Sequence, residues 1–374
     1  MPAPVQSGAQ EGGAPQGGGS IPFLVGSNLY REAPFLTVAQ LLDGNSHETV
    51  VNITPGGFLR GIVLQITGAG GVIGAGVISS DGPFSVLGSV SIEDISGGPI
   101  IYPINGTAAR VKQTYFTPWE GDPAKRPDFL NTVNPAFTLR LGIEVRDTLA
   151  VLANTDARAQ YRLRFTLNPA TNANPASGLF TTAPTTPPTI TVKAYFETWA
   201  QPDLQDLLGN SIEGLPPGLV ASRFVQHEIP LLSAGSNVIR HTLMGNEIRC
   251  LAWIFRTSAG ARVDLTDANA GPIDFRIDSR RLWKMNPSQL VEEMNWFFSN
   301  LGNATWTRPT GVYIIPRFRD PDVDNYGEYW LQTVEQTLIQ AELSGADVGA
   351  NGTVEILYDQ LAVAGTLSAD IEGV

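Results

Sequence analysis

The segment Thr191-Val-Lys-Ala-Tyr-Phe-Glu-Thr-Trp-Ala200 is echoed near the end of the chain by Thr353-Val-Glu-Ile-Leu-Tyr-Asp-Gln-Leu-Ala362. The two keep the same parity of apolar and polar positions, with Val192, Ala194 and Phe196 matching Val354, Ile356 and Tyr358. Earlier in each half, Gly57-Phe-Leu-Arg60 lays onto Asn246-Glu-Ile-Arg249, so that Arg60 meets Arg249 and Ile62 meets Leu251. Gly82-Pro83-Phe84 falls on Gly271-Pro272-Ile273, and Val145-Arg-Asp147 resembles Phe318-Arg-Asp320. The matches keep their order, and their spacing shrinks stepwise, as loops of unequal length produce. This is the signature of a duplicated unit. It divides the chain into a tail at 1–20, one domain at 21–200, a joint at 201–223 carrying Gly214-Leu-Pro-Pro-Gly218, and a second domain at 224–374.

The repeated unit is all-β. Phe137 to Arg146 alternates, with Phe137, Leu139, Leu141, Ile143 and Val145 on one side and Thr138, Arg140, Glu144 and Arg146 on the other. That period of two belongs to a half-buried strand. Tyr161 to Leu167 repeats it, while Phe58 to Thr67 is apolar on both sides and reads as a doubly buried strand. Further strands are expected at Thr191–Trp199, Ile248–Arg256, Ile273–Asp278, Val312–Phe318, Val334–Leu343 and Thr353–Tyr358. One helix stands out in the second half. Asn286 is placed as its N-cap, Pro287 takes the first helical position, and Leu290, Val291, Met294, Phe297 and Phe298 share a face. A shorter helix is expected at Pro202–Leu208. About eight strands per copy of about 150–180 residues fit a two-sheet Greek-key sandwich, the jelly roll.

Composition excludes several functions. The net charge is -12 and charged residues make up only 16% of the chain, against a usual share of about 25%. An acidic surface disfavours direct packing on a polyanion. Cys250 is the sole cysteine, so neither an intrachain disulfide nor a multi-cysteine zinc site can form. Three histidines, His47, His227 and His241, leave little for a metalloenzyme. Residues 1–20 are mostly Gly, Pro, Gln and Ala and are expected to form a flexible tail, not a secretory signal. No run of about 18 apolar residues offers a membrane helix.

Candidate chemistry is sparse. No G-x-S-x-G elbow or H-E-x-x-H motif occurs, and Gly68 to Gly76 misses the G-x-G-x-x-G spacing, so it reads as a turn between strands. In the loop Asp320 to Glu328, the residues Asp320, Asp322 and Asp324 have the first calcium-loop ligand spacings, but Leu331 stands at the twelfth position. They are the metal candidates; a solvated loop is the competing reading, and no cofactor is expected. Asp203, Asp206 and Glu213 in the joint are the carboxylates to test for hydrolysis between two domains. Tyr115, Phe116, Trp119 and Trp306 are candidates for a sugar-binding surface, with packing as the alternative.

Two tandem jelly rolls without an active site, in an acidic chain with a Gly/Pro-rich tail, resemble the double jelly-roll major capsid proteins, the lineage of tectivirus-like phages and the adenovirus hexon. The resemblance covers 21–374. It rests on the duplication, the [GN]-x-[IL]-R strand entry, the Gly-Pro turn, the T-V-x-x-x-[FY]-[ED] final strand, and the helix from Asn286 to Ser299 followed by Pro309-Thr-Gly-Val-Tyr313. It implies a non-enzymatic virion protein that forms homotrimers. Six similar sandwiches would make a pseudo-hexagon that tiles an icosahedral shell beside minor capsid and vertex proteins, with an internal membrane as a further candidate partner and without touching nucleic acid. In this picture the inserts Tyr115–Val133 and Asn168–Pro188 would form towers or clasp neighbours. A β-sandwich receptor- or carbohydrate-binding protein is the alternative.

Overall fold

The computed structural model describes residues 20–31, 33–116, 132–144, 150–156, 161–216, 220–241, 247–300, 308–315, 331–333 and 338–363. Trp119, Trp306, the loop with Asp320, Asp322 and Asp324, the matched pair Val145–Asp147 and Phe318–Asp320, and all but Ser20 of the tail lie outside the described residues.

Two sets of eight strands build the fold. In the first half they are β1 Leu36–Leu41, β2 His47–Asn52, β3 Phe58–Ala69, β4 Leu87–Asp94, β5 Pro99–Ile104, β6 Ala136–Gly142, β7 Tyr161–Leu167 and β8 Thr189–Trp199. In the second they are β9 Val220–Leu231, β10 Ala234–His241, β11 Glu247–Arg256, β12 Ile273–Ile277, β13 Arg280–Met285, β14 Val312–Ile314, β15 Ile339–Gly345 and β16 Gly352–Val363. The first half pairs in the orders β1-β8-β3-β6 and β2-β7-β4-β5. The second half pairs as β9-β16-β11-β14 and β10-β15-β12-β13. Adding eight to each strand number converts one half into the other. Both are jelly rolls: first, eighth, third and sixth strands in one sheet, second, seventh, fourth and fifth in the other.

The duplication extends to an irregularity. Along β3 and β8 the register steps from Glu197 opposite Gly61 to Thr198 opposite Leu59, which leaves Arg60 as the extra residue of a β-bulge. Along β11 and β16 it steps from Cys250 opposite Asp359 to Ile248 opposite Gln360, and the extra residue is Arg249. Arg60 and Arg249 are the pair matched in sequence. A bulge bends its strand and re-aims the bulged side chain, so each roll points an arginine out of the same place.

The rolls are fused through their sheets. β5, the last strand of one sheet in the first roll, runs parallel to β9, the first strand of the second roll, with Ile101 opposite Phe224. A single sheet therefore passes from β2 to β14. This explains why Cys250–Phe255 is unbroken apolar sequence. Leu251, Trp253 and Phe255 on one face of β11 enter the second roll's core, while Cys250, Ala252 and Ile254 on the other face join the core of the first. A strand covered on both faces has no polar side to alternate with.

Helix α1 (Gly106–Val111), continued by a wider turn over Lys112–Phe116, lies buried on this junction. Asn105 caps it by accepting from the Ala108 amide at 2.8 Å. The expected insert does not begin at Tyr115: Tyr115 and Phe116 are buried core residues, which removes them as sugar-binding candidates. Helix α2 (Pro287–Asn300) is where the sequence places it. The Asn286 amide donates to the Gln289 side chain at 2.9 Å, and Leu290 and Met294 are buried. The helix expected at Pro202–Leu208 does not form. The Asp206 carboxylate accepts from the Leu208 and Asn210 amides at 2.8 Å each, which offers the backbone a turn instead of a helix. Glu144, assigned to the solvent side, is buried and paired with Arg60. β9 begins at Val220, inside the stretch read as the joint.

His241 sits in the core of the second roll, within 5.5 to 6.2 Å of the Tyr358, Phe275 and Trp253 ring centroids. Its Nδ1 is 2.8 Å from the Tyr358 hydroxyl. Burial pushes the imidazole down to about 3. The unfolded chain takes up this proton near pH 6.5 and the folded chain does not. Stability from a neutral His241 is therefore present above pH 6.5 and falls as the pH drops toward 3, by up to about 1.4 kcal/mol per pH unit. His241→Phe should flatten the loss of urea resistance between pH 6.5 and 4 relative to the parent chain. Equal slopes in the two proteins would refute this.

Candidate functional site

The seam between the rolls concentrates the buried charge of the molecule. It has two clusters, and each draws residues from both halves.

In the first cluster, the bulged Arg249 donates to the Asp359 carboxylate on β16 and to the Phe116 carbonyl at the end of the α1 turn. Helix ends leave carbonyls without partners, and here the opposite roll supplies the donor. Lys112 from the first roll places Nζ 3.9 Å from Asp359 and 5.2 Å from the Phe224 ring centroid. Burial drives the Lys112 ammonium below its ordinary value, and Asp359 opposes this.

In the second cluster, Asp81 of the first roll meets Arg256 at 2.7 Å and Arg262 at 2.9 Å, both from the second roll. Thr107 on α1 donates to Asp81 at 2.9 Å. Arg256 also donates to Glu355 and, at 2.8 Å, to the Gly260 carbonyl. Gln226 donates to Glu355 at 2.9 Å, and the Asn105 amide donates to Gln226 at 2.9 Å. Burial alone would raise the Asp81 carboxyl, but the two arginines hold it below its ordinary value. Burial raises Glu355 in spite of Arg256. Arg256 is opposed by burial, yet Glu355 and Asp81 raise it above its ordinary value, so it stays charged.

The same elements in the first roll close within that roll. Arg60 pairs with Glu144, and Trp199 Nε1 donates to Glu144 at 3.0 Å. Glu197, the counterpart of Asp359, is paired with Arg31 and, at 3.1 Å, with Arg140.

A polar cleft of about 250 Å³ opens beside the second cluster, lined by Asn105, Asn168, Asn174, Glu228, Arg256 and Thr257 among others. Its lining has hydroxyls and amides but no histidine or cysteine to activate them. The loop 168–188, read as a tower or clasp, here packs against the second roll: a Cβ at Gly260 would strike the Asn174 side chain.

Among the described residues, the sequence-predicted site residues do not converge. Asp203 and Glu213 are exposed; Asp206 holds its turn, and Glu213 accepts from Ser20 at 3.0 Å. His47 lies 2.9 Å from Asp43, His227 is exposed and His241 is buried elsewhere. Among the described residues no group of three or more His, Cys, Asp or Glu is placed to hold a metal. The seam itself was not read from sequence as a site, although its arginine was visible in the repeated strand entry.

Asp81→Ala leaves Arg256 and Arg262 buried without one of their counter-charges. Loss of one partner from such a cluster costs about 3–5 kcal/mol, so the urea midpoint should fall steeply. A change within the ordinary surface range of about 0.5 kcal/mol would show that the seam is not a stabilising contact.

Searched by sequence, the chain matches no family model and no curated protein. Its fold matches solved structures. The major capsid protein of the Sulfolobus turreted icosahedral virus superposes with a TM-score of 0.60 at 14% identity, covering 93% of this chain and 100% of that one. The PBCV-1 virus capsid protein superposes with a TM-score of 0.60 at 13% identity, covering 90% of this chain and 94% of that one. The chain has the double jelly-roll fold of these capsid proteins along nearly its whole length.

Proposed function

We propose that the chain is a major capsid protein, a structural rather than catalytic component, whose homotrimers tile an icosahedral virus shell. The observation that carries this reading is the fusion of two rolls of identical strand order through one continuous sheet. A shell tile must keep its shape under load from all sides. Burying the junction strand on both faces and pairing charges across the seam makes the two rolls one rigid block rather than two tethered domains. Threefold symmetry applied to such a block yields six similar sandwiches around an axis, hence a near-hexagonal outline. The fold shared with viral capsid proteins agrees with this.

Light scattering of the purified protein tests the reading. The expected mass is three times the chain mass of 40.1 kDa, or larger shells built from that unit. A single-chain mass across a wide range of concentration and salt would overturn it.

A further inference from the structure

Two surface patches on different parts of the fold are unexplained by the packing of a single chain. The first is the outer face of the sheet β10-β15-β12-β13. Its register sets Arg240 opposite Gln340, Gln340 opposite Arg276, and Arg276 opposite Arg281. Arg276 and Arg281 thus face each other at the strand spacing of about 4.8 Å, and Arg240 lies in the same row one strand further on, beyond Gln340. Lys284 stands in the adjoining row, opposite Asp274. Like charges directly across a strand pair are destabilising. Asp274 offsets this in part, accepting from Arg276 at 2.7 Å and from Arg281 at 2.8 and 2.6 Å. The opposite face of these strands carries Ile239, Ala341, Phe275 and Trp283 into the core; Arg276 and Arg281 serve the buried Asp274, while Arg240 and Lys284 are exposed cations in the same two rows. Val238, in the adjoining row, and Leu232, at the β9–β10 turn, add apolar surface at 38% and 60% exposure.

The second patch is the joint. Its backbone is fixed: the Ile212 amide donates to the Leu204 carbonyl and the Asp206 amide to the Asn210 carbonyl, each at 3.0 Å. Yet Leu207 is fully exposed, and Leu204, Leu208 and Leu215 are 77%, 87% and 73% exposed. A loop pre-ordered to hold four leucines in water is an interaction surface rather than a relaxed linker. Asp203, Asp206 and Glu213 surround them with negative charge.

We propose that the acidic leucine loop of one copy docks on the cationic outer sheet of the next, a heterologous contact that closes into a ring of three chains. The inference rests on the self-assembly proposed above. The two patches complement each other in charge, and each also offers apolar surface, so one contact covers both. A polyanion bound on the arginine row would leave the leucines in water. A contact between unlike surfaces of identical chains forms a ring when its rotation closes.

The test is a charge swap followed by light scattering, at about 0.15 M salt and again at about 1 M, where surface charges are screened. One variant carries Arg240→Glu and Lys284→Glu, a second Asp203→Lys and Glu213→Lys, and a third all four changes. The parent should show three chains per particle at low salt, and each two-site variant one chain with an unchanged circular dichroism spectrum. The four-site variant should regain three. Leu207→Ser with Leu208→Ser, at exposed positions where misfolding is not a concern, should also release single chains. Two-site variants that keep the parent's mass and salt dependence would overturn this contact while leaving the capsid reading intact. A parent that remains a single chain would overturn both. Binding of labelled single-stranded DNA that is lost in the Arg240→Glu, Lys284→Glu variant, with its trimer mass retained, would assign the row to a polyanion and overturn the contact.

Discussion

Everything in this molecule depends on pairing charge where water is excluded. Asp81, Glu355 and Asp359 lie between the two rolls, and an unpaired carboxylate there is far costlier than one at the surface. The guanidinium groups of Arg249, Arg256 and Arg262 all come from the second roll, whereas Asp81, Thr107, Asn105 and the Phe116 carbonyl come from the first. Separating the rolls would leave donors and acceptors on both sides without partners. It would also uncover Phe224, Cys250, Ala252, Ile254 and Leu357, which complete the first core. Neither roll is therefore a finished domain, although each has a complete set of jelly-roll strands.

Duplication followed by divergence is visible at one kind of position. Both rolls carry a bulged arginine on the third strand and a carboxylate on the eighth. In the first roll these groups close locally, Arg60 on Glu144 and Glu197 on Arg31 and Arg140. In the second, Arg249 and Asp359 reach the helical turn of the other copy. The same bulge geometry closes within its own roll in one copy and joins the two rolls in the other. The joined sheets are unlike, β2-β7-β4-β5 of the first roll and β9-β16-β11-β14 of the second, which leaves β1-β8-β3-β6 and β10-β15-β12-β13 outside the weld.

Much of this was legible in the residues. The period-two runs from Phe137 and Tyr161 gave strands with the expected sides inward, because one face of each meets a core and the other does not. The matched segments on β3 and β11 and on β8 and β16 land on equivalent strands, since strand ends and bulges constrain residue type more than loops do; Gly82-Pro83-Phe84 instead leads into a short 3-10 turn, where Gly271-Pro272-Ile273 leads straight into β12. Strands with mixed burial escaped notice. β9, β10 and the β4–β5 pair have interrupted apolar patterns, because their ends face turns or the seam. α1 was missed because a helix buried on all sides has no amphipathic period: its Arg110, and Lys112 and Gln113 in the turn beyond it, are buried. The seam could not be located from sequence, because its partners lie far apart along the chain and only the fold brings them together.

Electron microscopy of the purified protein, averaged in views down the symmetry axis, tests the central claim most directly. The account predicts six lobes of nearly equal size around a threefold axis, with alternate lobe boundaries lying within a chain and between chains. Particles of only two lobes, at concentrations where assembly is complete, would contradict it.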